Sequence, residues 1–450
     1  MAFTLARGSG SGLHCRRGSA FLRRSPFPDG LRMDNVSHSV AGMLAAETLL
    51  AARGSERLRS LAGYGRVAWV TSALANNLPD ADLLYTALER SPLAYVLHHR
   101  GHTHTLALGL PLGLLSLAVP WLWARRTGRS PGREGWALLV LLALLGPALH
   151  LALDSSNNYG VHPFWPVWDG WLYGDTIFIV EPLFWVGGLA LLLPSMRSRL
   201  AQGVWGVLLA GMAVTCWVLP FVSRGSALFV TLLGVALLAV GWRRSAHARM
   251  AWAVGLSLAA LAAFGLGSVR ARTSLEASAA TAFPGWRVQD AVLTPLPANP
   301  LCWEAIAVMV QGEQYALRRA QLAPWPPLGE ATGCPRFAFS RPTTLPYAAL
   351  ATPPTGAVVW RDEHVQKLAQ LRGVFRDRCV ARAFSHFARI PFAMDPGPSV
   401  PGEPEGPWVG DARYDSEEGR GFAELALGPA DTRCPEHVPP WTPPREDLLR

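Results

Sequence analysis

The segment HHRGHTHT at residues 98–105 gathers four histidines and one arginine around a single glycine. It ends where a long apolar run begins, so its imidazoles lie at the edge of a predicted membrane helix. Other imidazole and carboxylate groups occur at the edges of neighbouring apolar segments: His38, Asp80, Asp82, His150 and Asp154. Because ionisable groups at membrane depth are costly, their recurrence at these edges indicates a functional site.

Two of these pairs have a spacing that suits a shared target. His150 and Asp154 are four residues apart, so on a helix they share one face and can bind the same ion or each other. Asp80 and Asp82 follow Pro79 with one residue between them, and an extended turn would direct both carboxylates to one place. The spacing predicts that a helix end and a loop contribute to a single site.

The predicted site is a divalent-metal centre. Gly101 allows HRGHTH to bend, so that His99 and His104 can both face the ion. Mixed His and Asp ligands suit Zn²⁺, the favoured ion, with Mn²⁺ or Fe²⁺ as alternatives, and they serve one ion or a pair. An ion with an open position lowers the pKa of bound water to about 7 and supplies hydroxide. The predicted ligands are His38, Asp80, Asp82, His99, His104, His150 and Asp154. The alternative is a set of interfacial polar residues that only cap helices.

Three residues are predicted to act in catalysis beside the ion: Arg100, His102 and Asp175. The guanidinium of Arg100 matches the geometry of a phosphate or carboxylate, and its alternative is a salt bridge or a lipid-headgroup contact. His102 is a proton shuttle in this prediction, with a metal ligand or a solvated neighbour as alternatives. Glu181, one turn into an apolar segment, needs a partner and is predicted to support the ligands from behind. His162 is either a ligand or a loop residue.

The composition points to a membrane protein. Of the 450 residues, 50% are hydrophobic and only 16% are charged, a balance that is unusual for a soluble globular protein. The net charge of +9 comes almost entirely from arginine, since Lys367 is the only lysine. Because these arginines lie between apolar runs and no DNA-binding motif occurs, we expect no nucleic-acid partner.

Several apolar segments are long enough to cross a bilayer, which takes roughly 17–25 residues of helix. Six strong segments cover residues 104–123, 136–153, 177–194, 203–221, 226–242 and 250–268. Two weaker ones, 37–52 and 63–78, are rich in Ala and Gly and have amphipathic surface helices as their alternative. The sequence therefore predicts an all-α polytopic membrane domain of about six to eight transmembrane helices.

The arginines give this domain an orientation. Four connections between apolar segments contain them and should be cytoplasmic: Arg53/Arg57/Arg59, Arg125/Arg126/Arg129/Arg133, Arg197/Arg199 and Arg243/Arg244/Arg249. The alternate connections, 79–103, 154–176 and 222–225, are poor in arginine and should face the periplasm. The predicted metal site and the C-terminal region then lie on the periplasmic side of the inner membrane.

The chain divides into three predicted parts. Residues 1–32 form a disordered leader or an upstream extension, 33–269 the helical membrane domain with the metal site, and 270–450 a small extramembrane α+β domain. CWEAIAVMV and GEQYALRRAQL predict one β-hairpin, WVGDARYD and GFAELALG a second, and 362–390 a helix. The four cysteines of the last part, Cys302, Cys334, Cys379 and Cys434, suit two disulfides in an oxidising compartment, with free thiols as the alternative.

Five motifs, MDNVSH, NNLPDAD, HRGHTHT, HLALDSSNNYG and GDTIFIVEPLFW, occur in this order and resemble the YdjM-like membrane-bound metal-dependent hydrolases of bacterial inner membranes. The family pattern D-x-x-x-H, P-D-x-D, H-R-G-x-T-H and H-x-x-x-D falls on Asp34, His38, Asp80, Asp82, His99, His104, His150 and Asp154. The resemblance covers about 33–310 and departs only where HRGHTHT ends in Thr instead of the commoner Ser. It implies metal binding more strongly than any one reaction. A looser likeness to zinc-dependent phospholipase C implies phosphoester substrates.

Three functions fit these residues. The first is a membrane hydrolase in which metal-activated water attacks an ester or phosphoester of a small molecule, a membrane lipid or an envelope component. The second is a metal permease or sensor, for which ligands at mid-membrane are expected instead of ligands clustered at one face. The third is a non-catalytic envelope protein with a structural metal and no open coordination position.

Overall fold

A computed structural model describes most of the chain. The described residues are 30–52, 55–89, 91, 93–337, 342–415, 418–419, 421–428 and 434–450. The predicted leader therefore lies almost wholly outside the described residues, and so does the side chain of Asp34.

The N-terminal half is helical, as its composition predicts. Its helices are α1 Gly30–Ala51, α2 Glu56–Ser60, α3 Tyr64–Ala75, α4 Asp82–Leu88, α5 Ala94–His98, α6 Leu106–Gly113, α7 Ala118–Thr127, α8 Gly132–Asp154, α9 Pro182–Leu192, α10 Arg199–Val218, α11 Arg224–Gly241 and α12 Ala246–Ala282. Two short 3₁₀ turns, Leu78–Ala81 and His102–His104, carry predicted ligands.

Five helical segments of the described chain are long and apolar enough to cross a membrane: Leu106–Thr127, Gly132–Asp154, Arg199–Val218, Arg224–Gly241 and Ala246–Ala282. The predicted segment 177–194 contains instead a shorter apolar helix, Pro182–Ser195. It begins late because Pro182 occupies its first turn and the Glu181 side chain caps it by accepting from Leu183 N. The weak segment 63–78 corresponds to the 12-residue α3. A count of six to eight crossings stays a prediction.

Helix α9 lies at the centre of the bundle. Its residues from Trp185 to Leu192 are all buried, and it packs against α1, α10, α11 and α12. A helix that is apolar on every side is stable only when other helices surround it. Its position explains how so short an apolar helix is accommodated.

The C-terminal half is built on two antiparallel sheets. The larger sheet has the order β1-β2-β3-β5-β4 and the smaller one β6-β7-β8. The strands are β1 Arg287–Leu296, β2 Asn299–Gln311, β3 Gln314–Leu322, β4 Ala348–Ala349, β5 Val358–Lys367, β6 Pro391–Met394, β7 Trp408–Asp411 and β8 Glu424–Ala426, and the helices are α13 Leu368–Asp377, α14 Cys379–Phe384 and α15 Glu446–Leu449. An α-helical domain followed by a smaller α+β region matches the predicted fold class in its coarse outline.

The long helix α12 connects the two halves. It has 37 residues, so the predicted boundary at residue 270 lies inside it and the sheet begins only at Arg287. Ala271 and Leu275 of α12 pack in one core with Trp303 and Ala305 of β2. The C-terminal half is therefore packed on a continuation of a membrane-type helix.

Both predicted hairpins are confirmed: β2 pairs with β3 across the turn at 312–313, and β7 pairs with β8. The predicted helix over 362–390 begins only at Leu368, because residues up to Lys367 pair with β3. The structure has two disulfides, Cys302–Cys334 and Cys379–Cys434, as the first alternative predicted.

The C-terminal half covers one end of the helical half. Leu93 and Leu97 of the segment before HRGHTHT and Tyr159 of the following loop lie in one core with Phe384 and Phe387. These contacts place the C-terminal half over the end of the bundle that carries the predicted ligands.

Candidate metal centre

The seven predicted ligands form one continuous cluster. His38 lies on α1, His150 and Asp154 lie on α8, and the others come from the turns and short helices between α3 and α6. Three groups have ligand atoms within 4.8 Å of one another: His38/His150/Asp154, Asp80/His104/His150 and Asp80/Asp82/His99. Because His150 and Asp80 each belong to two groups, the groups are parts of a single site for one ion or a pair.

Close helix packing brings these segments together. A Cβ atom on Gly42 of α1 would lie 2.7 Å from the carbonyl oxygen of Ser72, and one on Gly146 of α8 would lie 2.6 Å from Ala75 Cβ. Only glycine permits α1 and α8 to approach the end of α3 so closely. Asn76, which follows α3, donates from Nδ2 to the carbonyl oxygen of His38 at 2.7 Å. The position of His38 thus depends on contacts with α3.

Hydrogen bonds determine which nitrogen of two imidazoles is protonated. His150 Nδ1 lies 2.7 Å from the carbonyl oxygen of Asn76, which can only accept, so Nδ1 carries the hydrogen and Nε2 a lone pair. His104 Nδ1 lies 3.2 Å from Asp82 Oδ2, so the same assignment holds for a neutral His104. The two Nε2 atoms are 3.0 Å apart. When both imidazoles are neutral, two lone pairs therefore face each other in a buried site.

Two carboxylates converge on the same point. Asp154 Oδ2 lies 3.3 Å from both His104 Nε2 and His150 Nε2. Asp80 Oδ1 lies 3.4 Å from the first of these nitrogens and 3.6 Å from the second. Four such atoms repel one another unless a proton or a metal cation lies among them, and this set of imidazole and carboxylate donors fits a metal ion.

The electrostatics of the site favour a cation. Burial would raise the pKa of Asp80, yet His150 and His104 lower it to about 2. Burial would lower the pKa of His104, yet Asp82, Asp154 and Asp80 raise it well above its ordinary value. The negative field of the three carboxylates thus favours positive charge at this position, which either a proton on His104 or a bound metal ion would supply.

Asp82 orients two of the imidazoles. Its Oδ1 lies 3.0 Å from His99 Nδ1, and its Oδ2 lies 3.2 Å from His104 Nδ1. Oδ2 also accepts from Thr103 Oγ1 and from the backbone N of Arg100, both at 3.0 Å. A carboxylate bound to Nδ1 fixes the ring and leaves Nε2 for the ion.

Arg100 is buried against the predicted ligand Asp154. Its Nη2 lies 2.9 Å from Asp154 Oδ1, and its Nη1 donates to Asn157 Oδ1 at 3.1 Å. The guanidinium lies over the ring of Tyr159 at 4.6 Å. The backbone of Arg100 has φ of 60°, a left-handed conformation that costs a non-glycine residue about 1–3 kcal/mol. The salt-bridge contact is present, and binding of a substrate anion by Arg100 stays a prediction.

His102 and His162 lie beside tryptophans, outside the three ligand groups found among the described residues. The ring centroid of His102 is 4.9 Å from Trp165 and 5.3 Å from Trp441. His162 packs on Trp441 with centroids 3.8 Å apart, and burial lowers its pKa to about 3. Trp441 comes from the C-terminal segment, so both histidines mark where that segment meets the centre.

Asp175, the third predicted catalytic residue, lies in an ion-pair network at the boundary with the C-terminal half. Its carboxylate binds Arg389 at 2.7 and 2.8 Å and Arg272 at 3.1 Å. Glu181 accepts from the backbone N of Leu183 and of Ala298, each at 3.1 Å. Among the described residues, Asp175 and Glu181 are therefore both paired with other groups of the protein.

Three asparagines that contact the cluster were not predicted as site residues. Asn76 binds both His38 and His150, Asn157 binds Arg100, and Asn35 donates from Nδ2 to Asp80 Oδ2 at 2.6 Å. Each lies inside one of the motifs, three or four residues from a predicted ligand: NNLPDAD, HLALDSSNNYG and MDNVSH. That adjacency is the signal by which the sequence could have identified them.

Comparison with known families matches residues 33–226 to the family described as YdjM inner membrane protein. Searches of the curated proteins and of the solved structures gave no match. The matched range contains all seven predicted ligands, and it confirms the predicted resemblance over 33–226; the match does not extend to residue 310, where the predicted resemblance ended. The match and the apolar helices both fit a membrane protein; residues 227–450 lie outside the match.

Proposed function

We propose that this protein, whose residues 33–226 match the YdjM inner membrane protein family, is a membrane-embedded metal-dependent hydrolase. Its substrate would be an ester or phosphoester of a lipid, an envelope component or a small molecule. The supporting observation is the convergence of His104 Nε2 and His150 Nε2, 3.0 Å apart, with carboxylate oxygens of Asp80 and Asp154.

Two types of residue would hold the metal. The ligands in this proposal are His38, Asp80, His99, His104, His150 and Asp154. Asp82, predicted as a ligand, would instead orient His99 and His104 through their Nδ1 atoms. Zn²⁺ is the favoured ion because it binds imidazole and carboxylate in small coordination shells, with Mn²⁺ and Fe²⁺ as alternatives. When bound, a divalent ion polarises the scissile group and lowers the pKa of water.

The protein residues would then orient the substrate and limit access. Asp80 is the most exposed of these ligands, with 11% of its side chain accessible and the others buried, so solvent reaches the centre on its side. Arg100 lies 2.9 Å from Asp154 and would stabilise negative charge at the reacting group. His102 and Asp175 would act as positioning residues where the C-terminal half contacts the centre.

The location of the centre is part of the proposal. We infer a multi-pass inner-membrane protein with the metal site and the C-terminal half on the periplasmic side. Two disulfides in the C-terminal half suit an oxidising compartment, and the arginine-rich connections suit the cytoplasmic side.

One observation favours a second function, a structural metal in a non-catalytic envelope protein. His38, His104, His150 and Asp154 are each at most 1% exposed, as in a closed coordination site. Most of the cluster lies in turns or at helix ends, which argues against the remaining function, a permease with its ligands at mid-membrane.

The test is an activity profile of purified wild-type protein beside His150→Ala, against phospholipids and soluble phosphoesters and esters. We expect metal-dependent hydrolysis that falls at least about 100-fold in the variant, because one ligand is lost. His247→Ala is the matched control, since His247 is an exposed histidine that contacts only a backbone carbonyl in the described structure. Metal bound without hydrolysis of any of these substrates would favour the structural-metal function.

A further inference from the structure

An elongated cavity of about 340 Å³ lies between α1, α8, α9 and α12. This volume is within the range of small-molecule binding pockets, about 300–1,000 Å³. Its walls are mainly aliphatic, and they include Val40, Leu44, Leu149, Leu153, Leu258 and Leu261. None of the seven predicted metal ligands lines it among the described residues, so it is a second site.

The cavity is long and narrow. Along α1 its lining runs from Ser37 to Leu49, a distance of about 18 Å at the rise of an α-helix. Along α12 it runs from Ala253 to Leu261. A volume this small spread over such a length suits a single hydrocarbon chain better than a compact ligand.

One end of the cavity lies next to the metal centre. Ser37 immediately precedes His38, and the cavity-lining Leu149 and Leu153 immediately precede His150 and Asp154 on α8. Asn157 also lines the cavity while its Oδ1 accepts from Arg100.

The lining at this end, formed by Ser37, Ser156 and Asn157, is polar. Of the other polar lining groups, Glu181 accepts from backbone amides, Ser257 donates to the carbonyl oxygen of Ala253, and Thr48 lies near the opposite end. An occupant of this cavity would thus have a polar end at the metal centre and an apolar remainder.

The cavity also has a wall at the outer surface of the bundle. Val254 and Leu258 of α12 line it, yet they are 40% and 60% exposed. Helix α12 is one of the candidate membrane spans, so this surface contacts the acyl chains of the bilayer. A hydrocarbon chain can therefore pass sideways between membrane and cavity without entering water.

We propose that this cavity binds one acyl chain of a membrane phospholipid, with the headgroup at the end formed by Ser37, Ser156 and Asn157. The binding itself is independent of hydrolysis. The further statement that this lipid is the substrate, presented by its chain to the metal centre, rests on the function proposed above.

The test uses a phosphatidylglycerol with a photoactivatable diazirine at the middle of one acyl chain. The full-length protein is reconstituted in vesicles of phosphatidylethanolamine and this lipid, irradiated and mapped by peptide mass spectrometry. We expect labelling of the cavity-lining Leu149 and Leu261. Val207 and Phe229, which are exposed on α10 and α11, report the lipid that merely surrounds the protein.

Filling the cavity should abolish the specific labelling. Ala45→Phe places a ring in the cavity, and Ala41→Phe is a second variant in case the first does not fold. Either should lower labelling of Leu149 at least tenfold and leave labelling of Val207 and Phe229 unchanged. The control Ala259→Phe, on the exposed side of α12, should change neither.

The metal content of each sample separates the two proposals. If Leu149 is labelled no more than Val207, or if filling the cavity leaves its labelling unchanged, the acyl-chain site is wrong even when the protein binds metal. If labelling behaves as expected but no metal is bound, the lipid site stands and the proposed hydrolase fails.

Discussion

Two buried clusters of acidic residues differ in how their charge is balanced. At the boundary with the C-terminal half, Asp175 and Asp290 are paired with Arg389, which binds the first at 2.7 Å and the second at 2.9 Å. Arg272 lies 3.1 Å from Asp175 and Arg445 lies 3.4 Å from Asp290, and both add positive charge there. In the metal centre, Arg100 is the guanidinium paired with Asp154, while the three carboxylates Asp80, Asp82 and Asp154 face imidazoles. Among the described residues, arginines thus balance the carboxylates at the boundary, whereas at the centre the three carboxylates outnumber the one arginine paired with them.

The difference separates a structural cluster from a binding site. A buried carboxylate is stable when a fixed cation lies beside it, and the boundary cluster supplies that cation from the chain itself. The proposed metal centre supplies imidazole nitrogens in its place, which could bind an exchangeable cation. Disruption of the boundary should therefore reduce stability and spare metal binding, whereas disruption of the centre should affect the metal first.

The largest effect on stability is expected at the boundary. Asp175→Asn leaves Arg389 and Arg272 without one of their carboxylate partners, and loss of one member of a buried ion pair costs about 3–5 kcal/mol. Thermal unfolding in detergent micelles should show the loss, while the metal content per folded protein stays unchanged. Asp377→Asn, at an exposed carboxylate of α13, is the control and should leave both unchanged. If the Asp175→Asn protein is stable but contains no metal, the contrast between the two clusters is wrong and Asp175 belongs to the metal centre.

A smaller effect is expected from the carboxylate that orients the imidazoles. Asp82→Asn keeps the shape of the side chain but presents an amide nitrogen to one of the two Nδ1 atoms, so His99 or His104 loses its preferred tautomer. Loss of such a support lowers metal affinity about 10–100-fold. Competition with a chelator of known affinity measures the change. Complete loss of metal would show that Asp82 is a ligand after all.

The smallest effect is expected one step further from the ion. Thr103→Val removes the hydroxyl that donates to Asp82 Oδ2 at 3.0 Å and keeps the volume of the side chain. One hydrogen bond of this kind is worth roughly 0.5–3 kcal/mol, so metal affinity should fall by less than it does in Asp82→Asn. The same chelator competition gives the ratio. An effect equal to that of Asp82→Asn would mean that Thr103 itself contacts the ion.

Local sequence patterns were sufficient to predict the cluster. The four-residue spacing in HLALD places His150 and Asp154 on one face of α8. NNLPDAD brings Asp80 to the same point, although through a 3₁₀ turn and not the predicted extended turn. Such spacings depend on geometry within a single helix or turn, so they can be recognised without the fold.

Long-range packing accounts for what was not predicted. The role of Asp82 depends on the ring orientations of His99 and His104, which come from other segments. The contacts of His102 and His162 with Trp441 join residues hundreds of positions apart, and no local pattern indicates them. Glu181, which caps α9, also accepts from the backbone N of Ala298 in the C-terminal half, another contact that no local pattern indicates.

Metal analysis of the purified protein tests the central claim most directly. The wild type should contain about one or two transition-metal ions per chain, and the double variant His104→Ala/Asp154→Ala should contain almost none. His247→Ala, which changes an exposed histidine, should match the wild type. A folded double variant that retains the metal, or a wild type that binds no metal when Zn²⁺, Mn²⁺ and Fe²⁺ are supplied, would contradict the account.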